Sequence, residues 1–225
     1  MNFHLIYPEF LLIGLAFLVL MLDFFLSEKK KYLLNWVSTL GMAFILGIAL
    51  FMNQQGDLYQ GLLIIDGYAS FFRIFFLAIG IVVTLISRDY VDSNISNPGE
   101  YYAILIFTIL ASISLASSGE LLTAYVSLEI LSFGLYVLVA YDRYNPASNE
   151  GGVKFILLGA FSSALILYGL SQTYGLIGTT RFNEIAVLLN SMENISIGMV
   201  VGFVLILAGI AFKLAAVPFH MWAPN

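Results

Sequence analysis

Cysteine is absent from the 225 residues, which excludes disulfides, iron–sulfur clusters and zinc sites built on thiolates. Histidine is almost absent: His4 and His220 lie far apart and gather no metal-ligand cluster. Charge is scarce as well. Asp, Glu, Lys and Arg make up 10% of the chain, where a soluble domain carries about 25%. The net charge of −5 is scattered over loops and leaves no basic block of the kind that grips nucleic acid. No glycine-rich loop of the phosphate-cradling pattern occurs.

Apolar residues fill the chain instead, at 60% with a mean hydropathy of +0.95. Such a chain cannot cover itself with polar surface in water, so its solvent is lipid. The opening run Leu5–Leu26 reads as a span and not as a secretory leader, because it is long, lacks a preceding positive charge and is followed by the basic cluster.

A membrane-crossing helix needs about 20 apolar residues. Seven segments meet or approach that length: Leu5–Leu26, Leu33–Met52, Tyr68–Ser87, Tyr101–Ser117, Leu121–Tyr141, Gly152–Tyr174 and Ile197–Trp222. Polar, turn-rich stretches such as Asn53-Gln54-Gln55-Gly56-Asp57 separate them. Only Ser118-Gly119-Glu120 joins the fourth span to the fifth, which demands a tight antiparallel hairpin. An open strand edge in lipid would leave backbone donors unsatisfied, so the spans are helices and the fold is an all-α polytopic transmembrane bundle. Basic residues orient it. With the N-terminus outside, Lys29, Lys30, Lys31, Arg88 and Arg143 fall in inner loops and only Arg181 falls outside.

Ionisable residues inside the spans carry the chemistry, since each costs about 2.5–3.5 kcal/mol to insert. Glu129 lies in the fifth span, about 12 Å from its start at 1.5 Å per residue. Its bland alternative is a protonated carboxyl that locks packing. Lys213 lies well inside the seventh span, where its alternative is a lysine snorkelling to the interface. Pro218 is expected to break that helix by removing a backbone donor and crowding the preceding turn, and a break at this depth is tolerated where it lines protein or a watery cavity. His220 follows, with an ordinary pKa suited to proton exchange near neutrality. Lys154 stands close to the start of the sixth span, and snorkelling competes with function there. Arg73, within Phe-Phe-Arg-Ile-Phe-Phe, offers an internal partner for an acid, while Glu9 and Asp23 read as interface residues. Acid and amine groups on separate helices are what a proton relay requires. Which of them meet is open at this point.

The run Glu120 to Arg143, ELLTAYVSLEILSFGLYVLVAYDR, resembles the glutamate helix of the antiporter-like membrane subunits of respiratory complex I. Asn149 to Gly175, NEGGVKFILLGAFSSALILYGLSQTYG, is similar to the family's next helix with its lysine. Ala211 to Asn225, AFKLAAVPFHMWAPN, looks like its lysine helix with the Pro-Phe-His-x-Trp-x-Pro break, although Asn225 stands where the family usually has Asp. Tyr7-Pro8-Glu9 and Asp66-Gly67-Tyr68-Ala69-Ser70-Phe71-Phe72 resemble one branch of that family more than its larger relatives.

The resemblance implies a fold of about fourteen helices with two inverted repeats of five, each holding a broken helix, of which this chain is half. It implies a three-helix segment over residues 1–100 and a first repeat, incomplete at its end, over 101–225. It maps Glu129, Lys154, Lys213 and His220 onto a buried proton pathway, with Pro218 at the helix break. NADH, FMN, iron–sulfur clusters and quinone are then expected elsewhere in a complex, with none in this chain. The partners implied are other membrane-arm subunits, neighbouring antiporter-like subunits among them, in the lipid of a bacterial inner membrane. A multisubunit cation/proton antiporter or membrane-bound hydrogenase shares the same core and is the nearer alternative. A non-catalytic seven-helix protein is the farther one, and it leaves the buried charges without purpose.

Overall fold

Apolar stretches that cannot leave backbone groups bare in lipid have one open solution, and the computed structural model, which describes residues 3–52, 54–192 and 194–217, is built of helices. After a 3-10 turn at Phe3–Ile6 come α1 (Tyr7–Phe25) and α2 (Leu33–Phe51). Strands β1 (Gly56–Leu58) and β2 (Leu63–Ile65) lead to α3 (Gly67–Ile86), α4 (Arg88–Asn94) and α5 (Pro98–Ala116). Then follow α6 (Leu121–Val139), α7 (Pro146–Ile177), α8 (Phe182–Ser191) and α9 (Ile197–Lys213). Among the described residues six helices are long and apolar enough to cross a membrane, and α9, apolar but of 17 residues, is shorter.

Helices α1, α2, α3 and α5 pack around Leu12, Val19, Met42, Leu77, Tyr102 and Ile106. From α5 the bundle grows sideways: α6 packs on α5, α7 on α6, and α9 along α7. Without a hydrophobic drive between helices in lipid, close packing has to come from small residues. At the α7–α9 crossing a Cβ on Gly169 would lie 2.6 Å from the Gly202 carbonyl oxygen. Only a residue lacking that atom lets the two backbones approach so far.

One end of the bundle is closed by backbone pairing that the sequence pattern does not announce. Strands β1 and β2 pair antiparallel, Leu58 opposite Leu63, and bury Leu58 and Ile65 against Leu5 and Ile6. The α5–α6 turn adds to their edge: Ile64 N–H donates to the Ser117 carbonyl at 2.7 Å and Gly119 N–H to the Leu62 carbonyl at 2.9 Å. Glu120 then bridges to Arg181. Its carboxylate caps α6 by accepting the Thr123 N–H at 2.8 Å, and it also accepts the Thr180 hydroxyl. This is the cap end; the opposite end is the open end.

Three expectations need correction. The sixth span does not begin at Gly152, because Asn145 caps α7 and Pro146 opens it. Gly152 serves close packing, since a Cβ there would come 2.4 Å from that of Ala140. The helix of the seventh span stops at Lys213, ahead of Pro218, and positions 218–222 of the expected span lie outside the described residues. Glu9 is no interface residue. It is 9% exposed and pairs with buried Arg73 at 2.8 Å, so Arg73 does have an internal acid. The 3-10 turn supplies the third member, as Arg73 Nη2 donates to the Leu5 carbonyl at 3.1 Å.

Breaking a buried pair strands a charge and costs about 3–5 kcal/mol. Arg73→Ala is therefore expected to lower thermal stability in detergent sharply, and the Glu9→Leu/Arg73→Met double variant to lose much less. Glu120 makes a second prediction. Burial pushes its carboxyl up, but the Thr123 and Thr180 hydroxyls and the backbone N–H groups of Thr123 and Leu122 outweigh that and hold it below the usual glutamate range. A depressed carboxylate stabilises the fold above its ordinary pKa, and that contribution is lost as pH falls through the lower value. Thermal unfolding of the wild type should therefore weaken below the usual glutamate range more steeply than that of Glu120→Gln, and equal slopes would remove the capping role.

Candidate functional site

Glu129 sits near the middle of α6, on a face shared with Ser132 one turn on, because residues three apart are neighbours on a helix. Lys213 is the last residue of α9. The two meet: Lys213 Nζ lies 3.0 Å from Glu129 Oε1, with side chains 9% and 15% exposed. Lys213 also donates to Ser132 Oγ at 2.9 Å. From α7, Ser163 Oγ stands 2.7 and 2.8 Å from the two Glu129 carboxylate oxygens. Three helices thus converge on one acid and one amine, each held by a serine.

The neighbouring Ser162 explains how Lys213 is placed. Its hydroxyl, fully buried, donates to the Gly209 carbonyl of α9 at 2.7 Å. Ser162 lies about halfway along α7, so α9 ends at membrane depth and not at the surface. A helix end there leaves carbonyls to be satisfied. Ala215 N–H donates to the Phe212 carbonyl at 3.0 Å and Ala216 N–H to the Ala211 carbonyl at 2.9 Å, the bond pattern of a Schellman motif. Ala215 occupies the left-handed position with φ of 50°, a place that favours glycine. The break expected at Pro218 is therefore already made at Lys213–Ala216 by local backbone bonds, and the negative end of the helix dipole favours the ammonium carried there.

Lys154 does not join this pair. It forms an ion pair with Glu150 one turn away, with side chains 64% and 66% exposed. The cause is helical geometry: Lys154 and Ser163 are about two and a half turns apart on α7, so they point to opposite sides. His220 lies outside the described residues. The serines were missed in the sequence because hydroxyls in apolar helices are common; the adjacent Ser162-Ser163 in a span was the available signal.

At the open end a cavity of about 320 Å³ lies between the start of α5 and the end of α6, lined in part by Glu100, Tyr136, Tyr141 and Arg143. Tyr141 donates to the Asn97 carbonyl at 2.9 Å. Tyr136, one turn from Ser132, packs its hydroxyl over Gly159, where a Cβ would lie 1.9 Å away. An acid–base pair in contact and buried can exchange a proton.

Residues 118–225 match the family described as NADH:quinone oxidoreductase/Mrp antiporter, TM. The chain is 38% identical over 225 residues to NADH-quinone oxidoreductase subunit N of Desulforamulus reducens, covering 100% of this chain and 47% of that protein. It is 39% identical over 224 residues to the subunit of that name from Moorella thermoacetica, again covering 100% and 47%. It thus spans about half the length of the curated relatives it matches. A chain of respiratory complex I from Thermus thermophilus with bound aureothin superposes with a TM-score of 0.77 at 26% identity, over 96% of this chain and 46% of that one. A chain of the membrane-bound sulfane sulfur reductase, an archaeal respiratory membrane complex, shares the fold alone, with a TM-score of 0.75 at 21% identity, over 98% and 46%.

The left-handed alanine at the break makes a prediction. A left-handed non-glycine residue costs about 1–2 kcal/mol, partly offset by the extra backbone entropy of glycine. Ala215→Gly is expected to raise stability by about 0.5–1 kcal/mol in denaturation of the detergent-purified protein, whereas a loss would show that the motif does not form.

Proposed function

We propose that this chain, which belongs with the NADH:quinone oxidoreductase/Mrp antiporter membrane subunits and is homologous to the N-terminal half of subunit N, moves protons through Glu129 and Lys213 as part of a proton-translocating NADH-quinone oxidoreductase. The observation that carries this reading is the 3.0 Å contact between the two side chains inside apolar helices. The acid and the amine are each within hydrogen-bond reach of the other's proton, so closing the contact lets a proton cross between α6 and α9 and opening it interrupts the path. The cavity lined by Glu100, Tyr136 and Tyr141 supplies access from the open end.

Lys154, with its easily broken exposed partner Glu150, is the relay group on the opposite side of α7, and His220 is the next exchange group in sequence beyond the break at Lys213–Ala216. Hydride and electron transfer from NADH through FMN and iron–sulfur clusters to quinone belongs to other subunits, so this chain contributes translocation and no redox chemistry. Its partners are further membrane-arm subunits, including antiporter-like neighbours. Its setting is a bacterial inner membrane with the N-terminus and the cap end outside, the orientation favoured by the basic loop residues.

In the full-length subunit, Glu129→Gln and Lys213→Ala should each cut proton translocation into membrane vesicles tenfold or more, the order of about 10²–10⁴ expected for a proton-transfer group, with the assembled complex still present. Wild-type pumping in both variants would overturn the assignment.

A further inference from the structure

We propose that Ser132 and Ser163 are positioning residues whose hydroxyls switch between two hydrogen bonds, so that the Glu129–Lys213 pair is satisfied both before and after a proton passes between its members. The proposal rests on the reading of that pair as the exchange site.

A serine hydroxyl has one proton to give and lone pairs to accept. Helical hydroxyls in this chain usually give theirs to a carbonyl one turn back, as Thr84 does to Gly80 at 2.8 Å, Ser112 to Thr108 at 2.9 Å and Thr173 to Gly169 at 2.8 Å. Ser163 and Ser132 keep that bond and add a second partner. Ser163 Oγ is 3.0 Å from the Gly159 carbonyl and also within reach of both Glu129 oxygens. One proton faces three acceptors. Ser132 Oγ is 2.7 Å from the Leu128 carbonyl while it receives the Lys213 ammonium at 2.9 Å.

Each arrangement fits two charge states. With Glu129 ionised and Lys213 protonated, Ser163 donates to the carboxylate, and Ser132 accepts from the ammonium while donating to the Leu128 carbonyl. When the proton passes, the Lys213 Nζ–H bond breaks and a Glu129 Oε1–H bond forms, and the ammonium and carboxylate become a neutral amine and a neutral acid. Ser163 then accepts from the new acid proton and turns its own toward the Gly159 carbonyl. Ser132 turns its proton from the Leu128 carbonyl to the Lys213 nitrogen lone pair. The serine protons stay on their own oxygens and no other reactant is consumed. Neither serine is left with an unmade bond in either state, so transfer proceeds without opening the packed helices.

Other titratable groups near the pair are few. Tyr125 and Tyr136 on α6 lie within electrostatic reach of Glu129. On α7, Glu150 and Lys154 point away and pair with each other. On α5, Glu100 is at the open end beside Tyr141, with Tyr101 against Tyr141 and Tyr102 against Asn35. Lys213 is the ionisable group contributed by α9.

The test is the pH profile of proton translocation by the full-length subunit in its complex. Ser163→Ala removes a donor from the ionised carboxylate, so the acid limb should move to higher pH. Ser132→Ala removes an acceptor from the ammonium, so the alkaline limb should move to lower pH. Each serine bonds both forms of its partner, so each shift reports the extra strength of the bond to the charged form and should be about half to one pH unit. Ser163→Thr and Ser132→Thr, which keep the hydroxyl, should restore the limbs. Unshifted limbs in both alanine variants, with Glu129→Gln still inactive, would overturn the switch and leave the exchange site standing. Threonine variants that assemble but stay shifted would assign the effect to packing and likewise overturn it. If Glu129→Gln pumps normally, the exchange-site reading itself fails.

Discussion

A carboxylate and an ammonium 3.0 Å apart inside a helix bundle attract one another strongly, yet each has given up water whose loss costs several kcal/mol. Such a pair persists only where the remaining lone pairs and protons are met. That requirement explains the local architecture. Ser132 meets the ammonium, Ser163 meets the carboxylate, and Ser162 anchors the turn of α9 that bears Lys213. The glycines of the α7–α9 crossing then follow, because the hydroxyl of Ser162 reaches a backbone carbonyl only when the helices are nearly in contact. The end of α9 at Lys213 follows too: a lysine in mid-helix would stand away from the negative end of the helix dipole, which favours an ammonium.

The same chain holds a second buried pair with a different chemistry. Glu9 and Arg73 are as close as Glu129 and Lys213, and at least as buried. A guanidinium does not release its proton in a protein, whereas a buried lysine readily does. Arg73 moreover spends two donors on one Glu9 oxygen and another bond on the Leu5 carbonyl, which ties the 3-10 turn, α1 and α3 together. One pair is a fastening and the other can change state. Choosing arginine or lysine at a buried site decides which.

Hydropathy made the spans legible, since lipid admits little besides helices and the polar separators mark their ends. The depth of Glu129 and Lys213 was legible for the same reason. What sequence does not display is azimuth between helices. Glu9 near a helix start reads as interfacial until it is seen buried and paired with Arg73 of α3. Lys154 reads as a residue close to the start of its span, with snorkelling in competition, until α7 is extended back to Pro146, and the half-turn offset from Ser163 then sets it on the opposite side of that helix. Pro218 draws attention as a helix breaker, yet the bonds that end α9 are made by Ala215 and Ala216, residues with no turn signature of their own. Family resemblance pointed to Glu129 and Lys213 among others; the coordinates put those two in contact and add the serines beside them.

The two ends of the bundle differ for a physical reason that bears on how the pair is reached. At the cap end the backbone of β2, the α5–α6 turn and the Glu120–Arg181 bridge use one another's hydrogen-bonding groups, and little is left over for water. At the open end the start of α5 and the end of α6 leave a cavity beside Tyr136 and Glu100. Water enters where polar groups still seek partners and is excluded where they have found them. Since Tyr136 stands one helical turn from Ser132, and Ser132 one turn from Glu129, the polar side of α6 runs from that cavity to the acid–base pair. The difference between the two ends is thus written into which loops pair with which, well away from the charged groups it serves.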